Sequence, residues 1–132
     1  MAIIGTEVCL RSLRESGCAG DGPVRVGADP ACVAQLQTRV VAAEALERTI
    51  PEPGTLHYDW FFSEDETKCV VREIYADSDA MLAHLGNVDD LLGRLIELGG
   101  GLEPEGFGRL SAELAEAIAP FNPTLYAHFQ GK

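Results

Sequence analysis

The chain has 132 residues, 46% of them hydrophobic, and its 10 Lys and Arg face 21 Asp and Glu for a formal charge of -11. This length suits one domain that buries a core without disulfide or metal staples, and the hydrophobic fraction excludes extended disorder. The acidic balance, without any Lys/Arg cluster, argues against nucleic acid and anionic membranes as partners.

No apolar run is long enough to cross a bilayer. The opening MAIIGTEV lacks the basic and apolar regions of a signal peptide, so a cytoplasmic protein is expected. Cys9, Cys18, Cys32 and Cys69 form no C-x-x-C pair and fit no zinc template. Free thiols are the expectation, and a Cys9–Cys18 bridge stays open as the alternative.

Two segments compete for the first strand. Thr6–Leu13 alternates Val8 and Leu10 with polar neighbours, whereas Pro23–Val26 runs directly into a helix and is preferred. Ser16 to Gly22 between them reads as a loop. The helix opens with Asp29 as N-cap and Pro30 at the first helical position. Val33, Leu36, Val40, Ala43, Leu46 and Ile50 recur along it as an apolar stripe, and Pro51 and Pro53 stop it. Thr55–Phe62 and Lys68–Tyr75, joined by the acidic turn Ser63–Glu66, form a hairpin.

A helix in two pieces follows. The first covers Asp79 to Leu85 and ends at Gly86; the second is capped by Asn87, with Asp89 and Asp90 in its first turn and Val88, Leu92 and Leu95 buried. Leu102 to Leu110, interrupted by Pro104, Gly106 and Gly108, reads as an irregular edge strand. Ser111 caps a short helix closed by Pro120, and the apolar tail Asn122–Phe129 docks on its own subunit or on a neighbour. The order strand, helix, strand, strand, helix, strand is the split βαβ pattern of an α+β, ferredoxin-like unit with an antiparallel sheet, plus a C-terminal helix. Residues 1–22 form an N-terminal segment, partly flexible or an extra strand. Residues 23–110 form the ferredoxin-like domain, and 111–132 its C-terminal helix and docking tail.

Three stretches resemble the antibiotic-biosynthesis monooxygenase family. Glu52-Pro53-Gly54-Thr55-Leu56-His57-Tyr58 resembles its P-G-x-L-x-Y turn into the second strand. Val71-Arg72-Glu73-Ile74-Tyr75 resembles its third strand, where E-x-W is typical and Tyr75 stands here for the Trp. Asp77 to Leu85 resembles the following helix with its A-x-x-x-H-L-like pattern. The resemblance implies a dimeric α/β barrel in which two sheets meet face to face and each subunit keeps a pocket between sheet and helices. It also implies oxygenases of quinols and anthrones that use no organic cofactor. Haem degraders, polyketide cyclases, isomerases and non-catalytic ligand binders are the alternatives among its relatives. An Asn that some oxygenases and haem degraders carry on the first strand is missing from both strand candidates.

Within that frame His84 is the candidate base. Its expected place in the last turn of a short helix favours the protonated imidazole, and it matches the position where haem-degrading relatives bind iron. Tyr58 and Tyr75 are candidate donors to a substrate anion, and Trp60 a pocket wall. Arg72 and Glu73 point to opposite faces, so only one of them meets a pocket; Arg72 is the candidate oxyanion partner. His57, with Asp59 at i+2, lacks a third ligand for a metal. Asn87 reads first as a helix cap, and His128 as a residue of the docked tail that closes the pocket or lies at the surface. The expected ligand is a small aromatic substrate, and the expected assembly a homodimer.

Overall fold

Pairing of the hairpin decides which side chains reach the helices. A computed structural model describes residues 2–7, 30–66, 68–99 and 102–132. In it β2 (Thr55–Phe62) runs antiparallel to β3 (Cys69–Tyr75), with Tyr58 opposite Glu73, Trp60 opposite Val71 and Phe62 opposite Cys69. Successive strand side chains point to opposite faces. These residues and Tyr75 therefore share the face under the helices, whereas His57, Asp59, Phe61, Val70, Arg72 and Ile74 share the other. Burial of Cys69, Val71 and Tyr75 follows this alternation.

The first strand is not the preferred Pro23–Val26, and it only overlaps the competing candidate Thr6–Leu13. β1 (Ala2–Glu7) lies between β3 and β4 (Glu103–Phe107), antiparallel to both. Its Ala-Ile-Ile run does not alternate with polar residues, which is why period-two reading passes over it. Thr6 and Glu7 of the Thr6–Leu13 candidate belong to it, and the rest of that candidate lies outside the described residues. Pro23–Val26 and Cys9 and Cys18 lie outside the described residues. Cys69 is a free, buried thiol, and burial pushes its pKa up to about 11.

The sheet order is β2-β3-β1-β4-β5, where β5 (Thr124–Tyr126) runs parallel to β4. The first four strands thus have the ferredoxin-like arrangement. β4 is not an edge strand, because the tail returns to cover it. Tyr126 stacks on Phe107 at 5.0 Å and donates to Glu105 Oε1 at 3.2 Å. The docking of the tail is within its own chain, though His128 and Phe129 beyond β5 stay exposed. α3 (Ala112–Ile118) starts at Ser111, whose hydroxyl accepts from the Leu114 N–H, and seats Leu114 and Ile118 against Tyr75 and Met81.

Two helical expectations are overturned. α1 (Pro30–Thr49) turns its apolar stripe outward: Leu36 and Val40 are 64% and 60% exposed, and Ile50 just beyond the helix is 73% exposed. The face that packs carries Thr38, Val41, Ala42, Ala45 and Thr49. Val41 and Ala45 sit in one cluster with Val88, Leu91 and Leu95, and the small alanines let the helix come close. Thr49 meets its hydroxyl need by donating to the Ala45 carbonyl at 2.7 Å. The second correction is that α2 (Ser78–Gly99) is one continuous helix of 22 residues. Gly86 is exposed and costs only about 1 kcal/mol relative to Ala in a helix interior, too little to break it. No helix among the described residues is long and apolar enough to cross a membrane.

The turn before β2 presses against the first turn of α2. A Cβ on Gly54 would collide with the Cβ of Ala80, and the Gly54 carbonyl accepts from the Ala76 N–H at 2.9 Å. Gly54→Ala is therefore expected to destabilise the fold by about 1–3 kcal/mol, the usual cost of overpacking. Ala80→Gly in the same chain should return part of the loss, as read from urea unfolding midpoints.

Candidate active site

His84 lies in the middle of α2 with only 2% of its side chain exposed. Its ring packs between Tyr58, at 5.0 Å, and Tyr75, at 5.5 Å, where the hairpin face meets the helix. Nδ1 stands 2.9 Å from Glu52 Oε2, a carboxylate from the turn after α1. The same oxygen accepts from the Thr55 hydroxyl at 2.6 Å, and Oε1 accepts from Asn87 Nδ2 at 2.7 Å. His84 and Asn87 are three apart on a continuous helix and so share a face. That spacing lets one carboxylate take a bond from each. Asn87 also donates to the Arg48 carbonyl at 3.0 Å, and Arg48 returns a bond to the Asn87 carbonyl at 3.2 Å. The end of α1 is thereby tied to α2.

Burial works to raise the pKa of Glu52, but the bonds from Thr55, Asn87 and His84 outweigh it and hold the carboxyl below its ordinary value. An ionised Glu52 requires the proton on Nδ1, which leaves the lone pair of a neutral ring on Nε2. Nε2 is 4.0 Å from Glu73 Oε1, beyond hydrogen-bond reach. The other Glu73 oxygen accepts from the Tyr75 hydroxyl at 2.9 Å. The phenols of Tyr58 and Tyr75 are pushed well up, by burial first and then by the charge of Glu73, so both stay protonated donors.

A cavity of about 60 Å³ opens here, between the sheet and α2. Tyr58, Trp60, Glu73 and His84 line it, with aliphatic side chains such as Met81, Val88, Leu91 and Ile118 on the remaining sides. Trp60 meets Tyr58 edge-on, with ring centroids 5.9 Å apart and planes at 81°. The two carboxylates face different nitrogens of His84, so the three cannot share one ion. Among the described residues no other group of three His, Cys, Asp or Glu side chains converges as metal ligands either.

The family model described as antibiotic biosynthesis monooxygenase matches residues 24–89, half of the chain. The chain belongs to this family. Among solved structures, that of MupZ from Pseudomonas fluorescens is similar, with a TM-score of 0.68 and 21% identity, over 99% of this chain and 85% of that one. At that identity the likeness is one of fold. No curated protein matches the sequence.

On this antibiotic biosynthesis monooxygenase scaffold, the sequence-derived candidates divide by sheet face. Tyr58, Trp60, Glu73 and His84 meet at the cavity, and Tyr75 stands directly behind Glu73 and His84. His57 and Arg72 are exposed on the opposite face, and His128 is exposed in the tail, so none of the three reaches the cavity. Arg72 thus stands away from this cavity, on the sheet face opposite His84. His84 is not at a helix C-terminus but in the middle of α2, where Glu52 orients its ring. Asn87 is not a cap but a clamp on Glu52. Glu52 and Thr55 were missed as site residues, because 32 positions separate Glu52 from His84 and no periodicity links them. The one local signal was an acid held between Pro51 and Pro53.

The folded-state pKa of Glu52 is lower than its unfolded value. Its contribution to stability is therefore present above the ordinary carboxylate value of 4.5 and is lost as pH falls through the lower folded value. Glu52→Gln is expected to destabilise the chain by about 1–3 kcal/mol at neutral pH. The gap to the unaltered protein should close as the solution is acidified below that range. Urea unfolding at a series of pH values measures both.

Proposed function

We propose that the protein is an acid–base enzyme for a small, largely apolar substrate, with His84 Nε2 as the base. The observation that carries this reading is the buried Glu52–His84 pair, in which Nδ1 is pinned and Nε2 stands 4.0 Å from Glu73 Oε1. Glu52 plays the orienting part that a carboxylate plays behind a catalytic histidine, holding the tautomer and stabilising the imidazolium once it forms. Within the antibiotic biosynthesis monooxygenase family the chemistry this supports is oxygenation without an organic cofactor. His84 removes a proton from the activated ring CH2 of an anthrone-like substrate, or of the keto tautomer of a quinol, and the carbanion passes electrons to dioxygen. One oxygen atom ends as the new carbonyl and the other leaves as water with the two hydrogens, so atoms and electrons balance. Tyr58 is placed to donate to the substrate anion, and the apolar walls keep water from it. A cavity of about 60 Å³ admits one ring edge, well under the roughly 300 Å³ of a pocket that encloses a drug-sized ligand.

Haem does not fit this arrangement. The cavity is far smaller than a porphyrin, and a carboxylate of Glu73 already stands before Nε2. A second reading has a specific observation in its favour: two acid–base groups face each other across the gap, so a proton taken by one can be returned by the other at a different carbon. That is isomerase or cyclase chemistry, and it needs no oxygen.

Oxygen uptake with a panel of small quinols and anthrones tests the first reading, with His84→Ala expected to lower the rate by about 10²–10⁴-fold. Turnover that persists without oxygen supports the second. No turnover under either condition by the folded protein removes both and leaves a ligand binder.

We also propose that two copies meet through the uncovered sheet face, which carries Phe61 and Tyr126, each about half exposed, together with Ile74 and with Phe107 stacked on Tyr126. Sedimentation should show a dimer that Phe61→Glu converts to monomer; a stable monomer before substitution would overturn this assembly.

A further inference from the structure

The indole of Trp60 presents an unexplained donor. Its Nε1 is buried and has no hydrogen-bond acceptor among the described residues. Leaving such an N–H unmet typically costs about as much as a good hydrogen bond contributes, and unmet groups of this kind call for a reason. The nearby Tyr58 hydroxyl feels the indole N–H, which acts to lower the phenol's pKa against the larger effect of burial, but the two groups do not reach hydrogen-bond geometry. Trp60 lines the same cavity as His84 and Glu73. The carboxylates there only accept, and the Tyr75 hydroxyl is already committed to Glu73. The apolar walls offer nothing to an oxygen atom.

We infer that the Trp60 indole N–H is a substrate-binding donor, which together with the Tyr58 hydroxyl receives an oxygen of the ligand, so that the site selects rings bearing a carbonyl or phenolic oxygen over the matching hydrocarbons. The inference deepens the acid–base reading above and rests on its cavity. It assigns the proton-accepting end of the site to His84 and Glu73, and the oxygen-holding end to Trp60 and Tyr58. An oxygen held by two donors is the one on which negative charge collects when an adjacent C–H is deprotonated.

Trp60 is the sole tryptophan, so the protein has a single indole N–H resonance. Titration with phenol and with toluene, rings of nearly the same shape, separates the cases. Phenol is expected to move the indole proton downfield and toluene to leave it nearly in place, while both perturb the His84 ring signals. In Trp60→Phe the preference for phenol over toluene should fall about tenfold, a ratio equivalent to about 1.4 kcal/mol; any packing defect acts on both ligands and cancels. If His84 responds to phenol while the indole proton does not, the inference fails and the cavity reading stands. If neither responds at any concentration, both fail. Equal indole shifts with phenol and toluene also overturn it. Should Trp60→Phe not fold, the titration of the unaltered chain decides alone.

Discussion

The contact between Glu52 and His84 joins the turn after α1 to the middle of α2, and most of the site's geometry follows from it. A carboxylate that is only 16% exposed is costly to ionise unless its oxygens are met. Here Thr55, Asn87 and His84 meet them from two separate elements: the start of β2 and one face of α2. The carboxylate therefore holds β2, α1 and α2 in register while it orients the imidazole. Stability and chemistry draw on the same atoms.

That arrangement depends on α2 staying helical through Gly86. A break there would rotate Asn87 away from His84 and leave one oxygen of Glu52 without its donor. Conversely, the bonds from His84 and Asn87 to a fixed carboxylate are a tertiary reason for the helix to continue where local composition invites it to stop. The small residues on the inner face of α1 serve the same end. They bring its C-terminal turn close enough for Arg48 and Glu52 to bond across to α2. The larger aliphatics Leu36 and Val40 remain on the outside.

The sheet separates two tasks by its pleat. One face gives Tyr58, Trp60, Glu73 and Tyr75 to the space beneath α2; the other shows Phe61, Arg72 and Ile74 to whatever lies outside. A shift of one residue in the hairpin would exchange the two sets. The acids and aromatics of the site are thus as dependent on the turn at Ser63–Glu66 as on their own identities. That turn is closed by the Ser63 N–H bonding to the Lys68 carbonyl at 3.0 Å and by Glu66 in a left-handed conformation.

Much of the scaffold was legible in the chain itself. Prolines 51 and 53 end α1, alternation and a polar turn mark the hairpin, and Ser111 opens α3; these are local signals, and local backbone chemistry is enough to read them. His84 and the pocket aromatics could also be named, because a lone histidine on an apolar helix and a cluster of strand aromatics stand out by type. Orientation was not legible. α1 carries two plausible inner faces, and only close packing against Val88 and Leu91 selects the one with alanines. β1 has no polar alternation, so period two does not mark it. The partner of His84 was hidden most completely: a hydrogen bond across 32 residues leaves no trace in spacing. Sequence by itself determined the elements and the inventory of reactive groups, through interactions within a turn or two of the chain. Tertiary structure alone decided which of those groups meet, because burial and hydrogen-bond satisfaction are set by neighbours that are distant along the chain.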